Sequence, residues 1–257
     1  LARLPMSSEM VPDILLSLAM RTKMNESALF SERLVSELGK YFKLLPKPRR
    51  EAGFAVLKSP GIPSVLVESG FILQIDCPDL AMGRHTVFRD LSDHDFILQA
   101  AKQIEILNNA LQNIPAERVR MHICWGNYEG PHHRDIPLGA IIDELLKAKP
   151  MGLLIEAANP RHAHEWNVFI ERKLPEDKVL IPGVIDSVTN YIEHPELVAQ
   201  RICQFADIVG RERIIAGSDC GFATFAGMGA VDSKIAVEKF KSLVQGAELA
   251  SKKLWKN

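Results

Sequence analysis

The chain lacks an excess of charge of either sign. Across 257 residues, 31 Lys and Arg stand against 32 Asp and Glu, a formal net charge of −1. Nothing global therefore recruits nucleic acid or an anionic membrane surface. Long hydrophobic runs are missing too: no stretch reaches the roughly 18 uninterrupted apolar residues of a spanning helix. A modest apolar patch near residues 14–20 follows Pro12 and Asp13 and precedes no small-residue cleavage pattern, so it is not read as a signal peptide. Cysteine is sparse. Cys77, Cys124, Cys203 and Cys220 lie in unrelated contexts, without the dense spacing of a secreted disulfide scaffold. A soluble protein of a reducing compartment, the cytosol, is expected, with a small-molecule substrate. Finally, no Gly-x-Gly-x-x-Gly turn follows any strand-like run, which removes the usual sign of a dinucleotide fold.

What is present is a regular alternation of short apolar runs and longer amphipathic ones, in a chain that is 47% hydrophobic and so able to bury a sizeable core. GFILQID (70–76) reads as a buried strand and HDFILQAAKQIEILNNALQNI (94–114) as a helix, with apolar residues at three- and four-residue spacing. VRMHIC is followed by PLGAIIDELLKA, where Pro137 suits a first helical turn. GLLIEA precedes HAHEWNVFIERK, VLIPGVID precedes PELVAQRICQFADIV, and RIIAGSD precedes the long run from Asp232 to Trp255. These are five strand-then-helix units over residues 70–257.

Runs as apolar as GLLIE suit strands covered on both faces, and helical crossovers enforce parallel pairing. An open doubly wound sheet and a closed (β/α) barrel both satisfy this pattern. The missing glycine-rich turn favours a single-domain (β/α)8 TIM barrel, incomplete at its amino-terminal end, because five units do not close eight strands. Residues 1–69 look irregular or shortened: they hold a helix candidate at 27–45 and a strand candidate at 54–58. Only SPGIPSVLVES and Gly70 lie between that strand candidate and the next strand, too short for a normal parallel crossover, so an internal deletion is expected between about Ser64 and Gly70. A barrel opened there would expose apolar strand edges.

Side chains two apart on a strand share a face, so His122 and Cys124 project together from the end of VRMHIC. Other strand ends carry Asp76, Glu156, Asp186 and the pair Asp219 and Cys220. That rim is where (β/α) barrels place their active sites. One imidazole, two thiols and a carboxylate make a zinc set of His122, Cys124, Glu156 and Cys220. By itself His-x-Cys is more commonly a buried histidine beside an inert cysteine than a metal site. Glu156 is harder to dismiss, since glutamate is almost never fully buried without a partner. Asp76 could instead hold a turn before Pro78, and Cys220 could simply pack. Cys77 and Cys203 read as structural. ANPRHAHEW brings Arg161, His162, His164 and Glu165, which a polar loop capping the next helix would also explain. His132 and His133 read as solvated loop residues, and Asn190 and Tyr191 as candidates for the rim.

Taken in order, RVRMHICWGNYEGPHHRDIPL, LLIEAANPRHAHEW, IIAGSDCGFATFAG and ILQIDCPDLA resemble segments of the cobalamin-independent methionine synthase family, in its carboxyl-terminal catalytic domain and its short single-domain relatives. The resemblance runs from about Gly70 to Trp255. It implies a (β/α) barrel with Zn2+ on His122, Cys124, Glu156 and Cys220. It further implies a substrate thiol held as thiolate at zinc, and transfer of an alkyl group to that sulfur. In the methionine synthases the thiol is homocysteine and the donor a folate; in related epoxide-opening transferases the thiol is coenzyme M. Asp76 would contact the amino-acid substrate, Asp219 would act beside the metal, and Asn190 and Tyr191 would line the substrate pocket.

Three departures bear on these expectations. Asp76-Cys77-Pro78 stands where the methionine synthases have Asp-Glu-Pro. Val188 falls near the position of their acid histidine, and their early Gly-Ser motif is absent. A zinc-binding chain that has lost catalysis is the competing expectation. A porphyrin decarboxylase, a more distant likeness, needs no such metal cluster.

Overall fold

The computed structural model describes residues 70–223, 229 and 231–255, together with 64, 67 and 68. The helix and strand expected at 27–45 and 54–58 lie outside the described residues, as does most of the shortened segment expected before Gly70. Five parallel strands form one sheet, β1 Leu73–Cys77, β2 Val119–Ile123, β3 Gly152–Ile155, β4 Val179–Ile185 and β5 Gly217–Ser218, paired in sequence order. Five helices alternate with them: α1 Asp93–Ala110, α2 Leu138–Leu145, α3 Val168–Glu171, α4 Pro195–Val209 and α5 Ser233–Leu254. The sheet curls as a half-barrel, the (β/α) architecture that the alternation predicts.

The burial of each strand follows its sequence. All residues of β2, β3 and β4 are buried, as the continuous apolar runs of β3 and β4 require for strands covered on both faces, while β2 also buries Arg120 and His122. At the edge, β1 alternates, turning Leu73, Ile75 and Cys77 into the core while Gln74 and Asp76 are only half-buried. This separates Cys77 from Asp76 as strand geometry demands. The α1 helix begins where Ser92 Oγ accepts the Asp95 N–H at 3.1 Å, with Asp93 and Asp95 favourably placed in the first turn. Pro195 opens α4 and Gly210, at φ +97°, ends it. Where α4 meets α5, a Cβ on Gly246 would stand 2.5 Å from Val198 Cβ, so only glycine admits this helix approach.

Two elements depart from their sequence pattern. HAHEWNVFIERK forms only a 3-10 turn, Glu165–Asn167, and the single turn of α3. The reason lies in its polar residues: Asn159 Oδ1 accepts the N–H groups of Arg161 and His162, and the His162 and Glu165 side chains bind outside the segment. Local side-chain bonding competes with the helix there. RIIAGSD pairs continuously over Gly217–Ser218 alone, beside an isolated Leu180–Ile214 bridge, and its register shifts between Gly183 and Ile185. A Cβ on Gly183 would lie 2.6 Å from Asp219 Cα. The sheet yields there to seat Asp219.

Candidate metal centre

Strand register brings distant residues to one rim. Asp76 pairs with His122 across β1 and β2, and His122 with Leu154 across β2 and β3. Continuing that register by two residues sets Cys124 opposite Glu156. On the far side, Ser218 pairs with Ile185, so Asp219 and Cys220 leave β5 beside the end of β4. His122, Cys124 and Cys220, all buried, offer ligand atoms that lie within 4.8 Å of one another. Cys124 Sγ is 3.7 Å from Cys220 Sγ, and both are free thiols. His122 Nε2 is 3.9 Å from Asp76 Oδ1, and the Asp76 side chain keeps 34% of its surface exposed.

Glu156, the fourth expected ligand, is not among the residues whose ligand atoms lie within 4.8 Å of one another. Glu156 is 4% exposed. Its Oε1 accepts the Trp125 N–H at 2.8 Å, and its Oε2 accepts from Asn159 Nδ2 at 3.0 Å. Asp219 is buried and serves as an anchor, accepting the N–H groups of Ala157, Ala158 and Asn159, each at 2.8 Å. Asn190 and Tyr191 follow β4 in an exposed loop, with Tyr191 84% exposed. In the same loop the Asp186 carboxylate accepts the Val188 and Thr189 N–H groups.

Electrostatics mark this rim as crowded with groups that become anionic. Burial, then the neighbouring Asp219 and Cys220, raise the Glu156 carboxyl well above its ordinary range. Burial raises Asp219 to about 6 against the backbone N–H groups that favour its charge. Within the thiol pair, the contact with Cys124 lowers Cys220, with His122 adding to the effect, while the same contact and burial raise Cys124. Burying several acidic groups side by side makes their charged forms costly. A divalent cation would offset that cost. The donor geometry fits such an ion: two sulfurs each about 2.3 Å from a tetrahedral zinc lie about 3.8 Å apart, close to the spacing of this pair.

A second polar cluster supports the loop after β2. Buried Asp135 accepts from His132 Nδ1 at 2.8 Å and His162 Nε2 at 3.1 Å, and His85 Nδ1 lies 2.9 Å from it. His162 Nδ1 bonds Glu165 Oε2 at 2.6 Å, and Glu165 Oε1 accepts the Leu138 N–H that starts α2. Glu165 therefore caps the preceding helix rather than the next one. Burial opposes charge on His162, but its bonds to Asp135 and Glu165 prevail and hold its pKa at about 9. Burial likewise opposes the Asp135 anion, yet His132 and His162 bring its pKa down to about 2. His132 is thus a loop anchor stacked on Tyr128, whereas His133 and His164 are exposed.

Sequence reasoning passed over Trp125, Asn159 and Gly183. Trp125 acts through its backbone, which no side-chain pattern announces. Its indole, fully buried, also donates to Ile136 O at 2.7 Å and packs 4.5 Å from the His162 ring. Asn159 is visible only as a polar residue before Pro160. Gly183, inside an otherwise apolar strand, was the available signal of a close approach.

Strand order and rim together define the class: a (β/α) half-barrel whose carboxyl-terminal rim gathers an imidazole and two thiols suited to a metal ion. The family model described as "Cobalamin-independent synthase, Catalytic domain" matches residues 63–247, and the chain belongs to this family. Among curated relatives, the chain is 26% identical to 2-hydroxypropyl-CoM lyase of Xanthobacter autotrophicus over 60% of this chain and 46% of that protein. It is also 26% identical to methionine synthase of Thermococcus kodakarensis, over 59% of this chain and 39% of that protein. The chain thus spans less than half the length of both relatives. A B12-independent methionine synthase from Shewanella sp. W3-18-1, solved in complex with selenomethionine, shares the fold with a TM-score of 0.58 at 18% identity, covering 81% of this chain and 58% of that one. No described helix is long and apolar enough to cross a membrane.

Proposed function

We propose that the chain is a zinc-dependent thiol alkyltransferase, most simply one that methylates a homocysteine-like thiol from a folate-like donor in methionine biosynthesis. The observation that carries this reading is the convergence of His122, Cys124 and Cys220 within 4.8 Å at the barrel rim. These three, with Glu156 beside them, would hold the zinc in a single cytoplasmic barrel domain. Bound zinc would supply a substrate thiol in its thiolate form at neutral pH.

The chain's own residues would do the rest. The Asp76 carboxylate, one-third exposed beside His122, would receive the ammonium group of an amino-acid thiol. Asp219, bound to three successive N–H groups, would keep the Glu156 loop and the Cys220 turn in one fixed arrangement. Asn190 and Tyr191 would meet the substrate from the exposed loop after β4. In the transfer, sulfur gains the alkyl carbon, and the donor's leaving atom keeps the bonding pair and takes a proton.

A second reading, an epoxide-opening transferase using coenzyme M, draws support from the lyase relative. Asp76 weighs against it, because a carboxylate at the rim repels a sulfonate and attracts an ammonium. X-ray absorption of the zinc-loaded protein, recorded alone, with homocysteine and with coenzyme M, tests both. A new zinc–sulfur bond with homocysteine supports the first reading, and one with coenzyme M alone the second. Zinc without response to either thiol supports a metal-binding chain that has lost catalysis. Well under one zinc per chain, unchanged by Cys124→Ser, overturns the metal reading altogether.

A further inference from the structure

We propose that Asn159 is a positioning residue of the metal centre, whose side-chain amide sets the direction in which Glu156 presents its carboxylate. The inference rests on the zinc reading above and adds a residue that the reading does not itself require.

One amide group stands between the two buried acids of the rim. Asn159 Nδ2 donates to Glu156 Oε2 at 3.0 Å and to Asp219 Oδ2 at 2.9 Å. Its Oδ1 accepts the backbone N–H groups of Arg161 at 3.0 Å and His162 at 3.2 Å. An amide nitrogen only donates and an amide oxygen only accepts. Reversing the group would set its oxygen against two carboxylates and its NH2 against two N–H groups. The network therefore dictates one orientation.

The consequence falls on Glu156. Its other oxygen is held by the N–H of Trp125, the residue after Cys124, while Asn159 ties Oε2 to Asp219, the residue before Cys220. The carboxylate is thereby aligned with both cysteine-bearing strand ends at once. Each oxygen keeps a further lone pair for a ligand. Without the Asn159 amide, Asp219 Oδ2 would keep the backbone N–H of residue 159, but Glu156 Oε2 would lose this donor and its tie to Asp219, leaving the carboxylate free to turn. Partners of this kind around metal ligands hold affinity as well as geometry.

Cobalt(II), whose ligand-field absorption reports its ligand set, is the probe. Metal-free wild type, Asn159→Ala, Asn159→Asp, Glu156→Gln and Cys124→Ser are each titrated under reducing conditions. Affinity is measured by chelator competition and folding by circular dichroism. Asn159→Asp keeps the shape of the side chain and removes its donors, so it serves if Asn159→Ala does not fold. Asn108→Ala is the structural control: Asn108 also bridges backbone segments, to Lys147 O and Lys149 N, but at the α1–α2 side of the fold.

Both Asn159 variants should lose about 10- to 100-fold in cobalt affinity, with bands displaced toward those of Glu156→Gln, while Asn108→Ala binds as wild type. If the Asn159 variants bind with wild-type affinity and bands while Glu156→Gln alters both, the role of Asn159 is overturned and the metal reading stands. If wild type takes up no cobalt, or its spectrum is indifferent to Glu156→Gln and Cys124→Ser, the metal reading falls and this proposal falls with it.

Discussion

Cys124 Sγ and Cys220 Sγ stand 3.7 Å apart although 96 residues separate them in sequence. Two thiols in contact can share a metal or form a disulfide, and a metal bound between them prevents the second. Mild oxidation of the metal-free protein should therefore lower the titratable thiols from four to two, while Cys77 and Cys203 stay reduced. Zinc added beforehand should preserve all four. Counting thiols with Ellman's reagent after denaturation checks this, and an equal loss with and without zinc would count against a shared metal.

Gly183 supports the same centre from β4. A methyl group at this position would collide with the Asp219 carboxylate and backbone, so Gly183→Ala must push Asp219 away from the N–H groups of residues 157–159. Overpacking of this kind costs about 1–3 kcal/mol. Urea unfolding should show that loss, and zinc bound per chain should fall with it. A variant with full zinc and unchanged stability would mean that the β4–β5 contact is looser than its geometry.

The His162 cluster makes stability depend on pH. The folded state holds the His162 pKa at about 9, above its ordinary 6.5. Its charged form therefore stabilises the fold fully below about 6.5, and that contribution is lost as pH rises through about 9. The difference is on the order of 3 kcal/mol. The stability gap between wild type and His162→Gln, measured by urea unfolding, should accordingly narrow between pH 6 and pH 9.5. A gap that stays constant would place no charge on His162. Asp135, brought down to about 2, acts in the opposite range, stabilising above about pH 4 and losing that contribution as pH falls through 2.

Lys239 is fully buried, and its Nζ lies 2.9 Å from Glu193 Oε2, while Glu193 Oε1 accepts the Asp186 N–H. The pair joins α5 to the loop that follows β4. Lys239→Met should cost about 3–5 kcal/mol by stranding the Glu193 charge, and adding Glu193→Gln should recover part of the loss. A double-mutant cycle from chemical denaturation measures the coupling. Independent, additive effects would show that the two charges do not depend on each other.

Much of the fold was legible because parallel strands covered on both faces must be apolar along their whole length. GLLIEA and VLIPGVID announced β3 and β4 within a residue or two of their ends. The helix expected over HAHEWNVFIERK was not realised, since hydrophobic spacing says nothing of where His162 and Glu165 find their partners. At the rim, two-residue periodicity could place His122 and Cys124 on one face. It could not reveal the N–H of Trp125 on Glu156, because a backbone donor leaves no trace in residue type.

The sequence by itself determined the alternation of strands and helices, and hence that the acids, thiols and imidazole at successive strand ends would share one rim. Local spacing and burial suffice for that. Only the tertiary structure decided which of these groups come within reach of a single ion, which serve as anchors, and that one asparagine amide stands between Glu156 and Asp219. Such distances depend on strand register, on the shift at Gly183 and on loop hydrogen bonds, all of which arise between segments far apart in the chain.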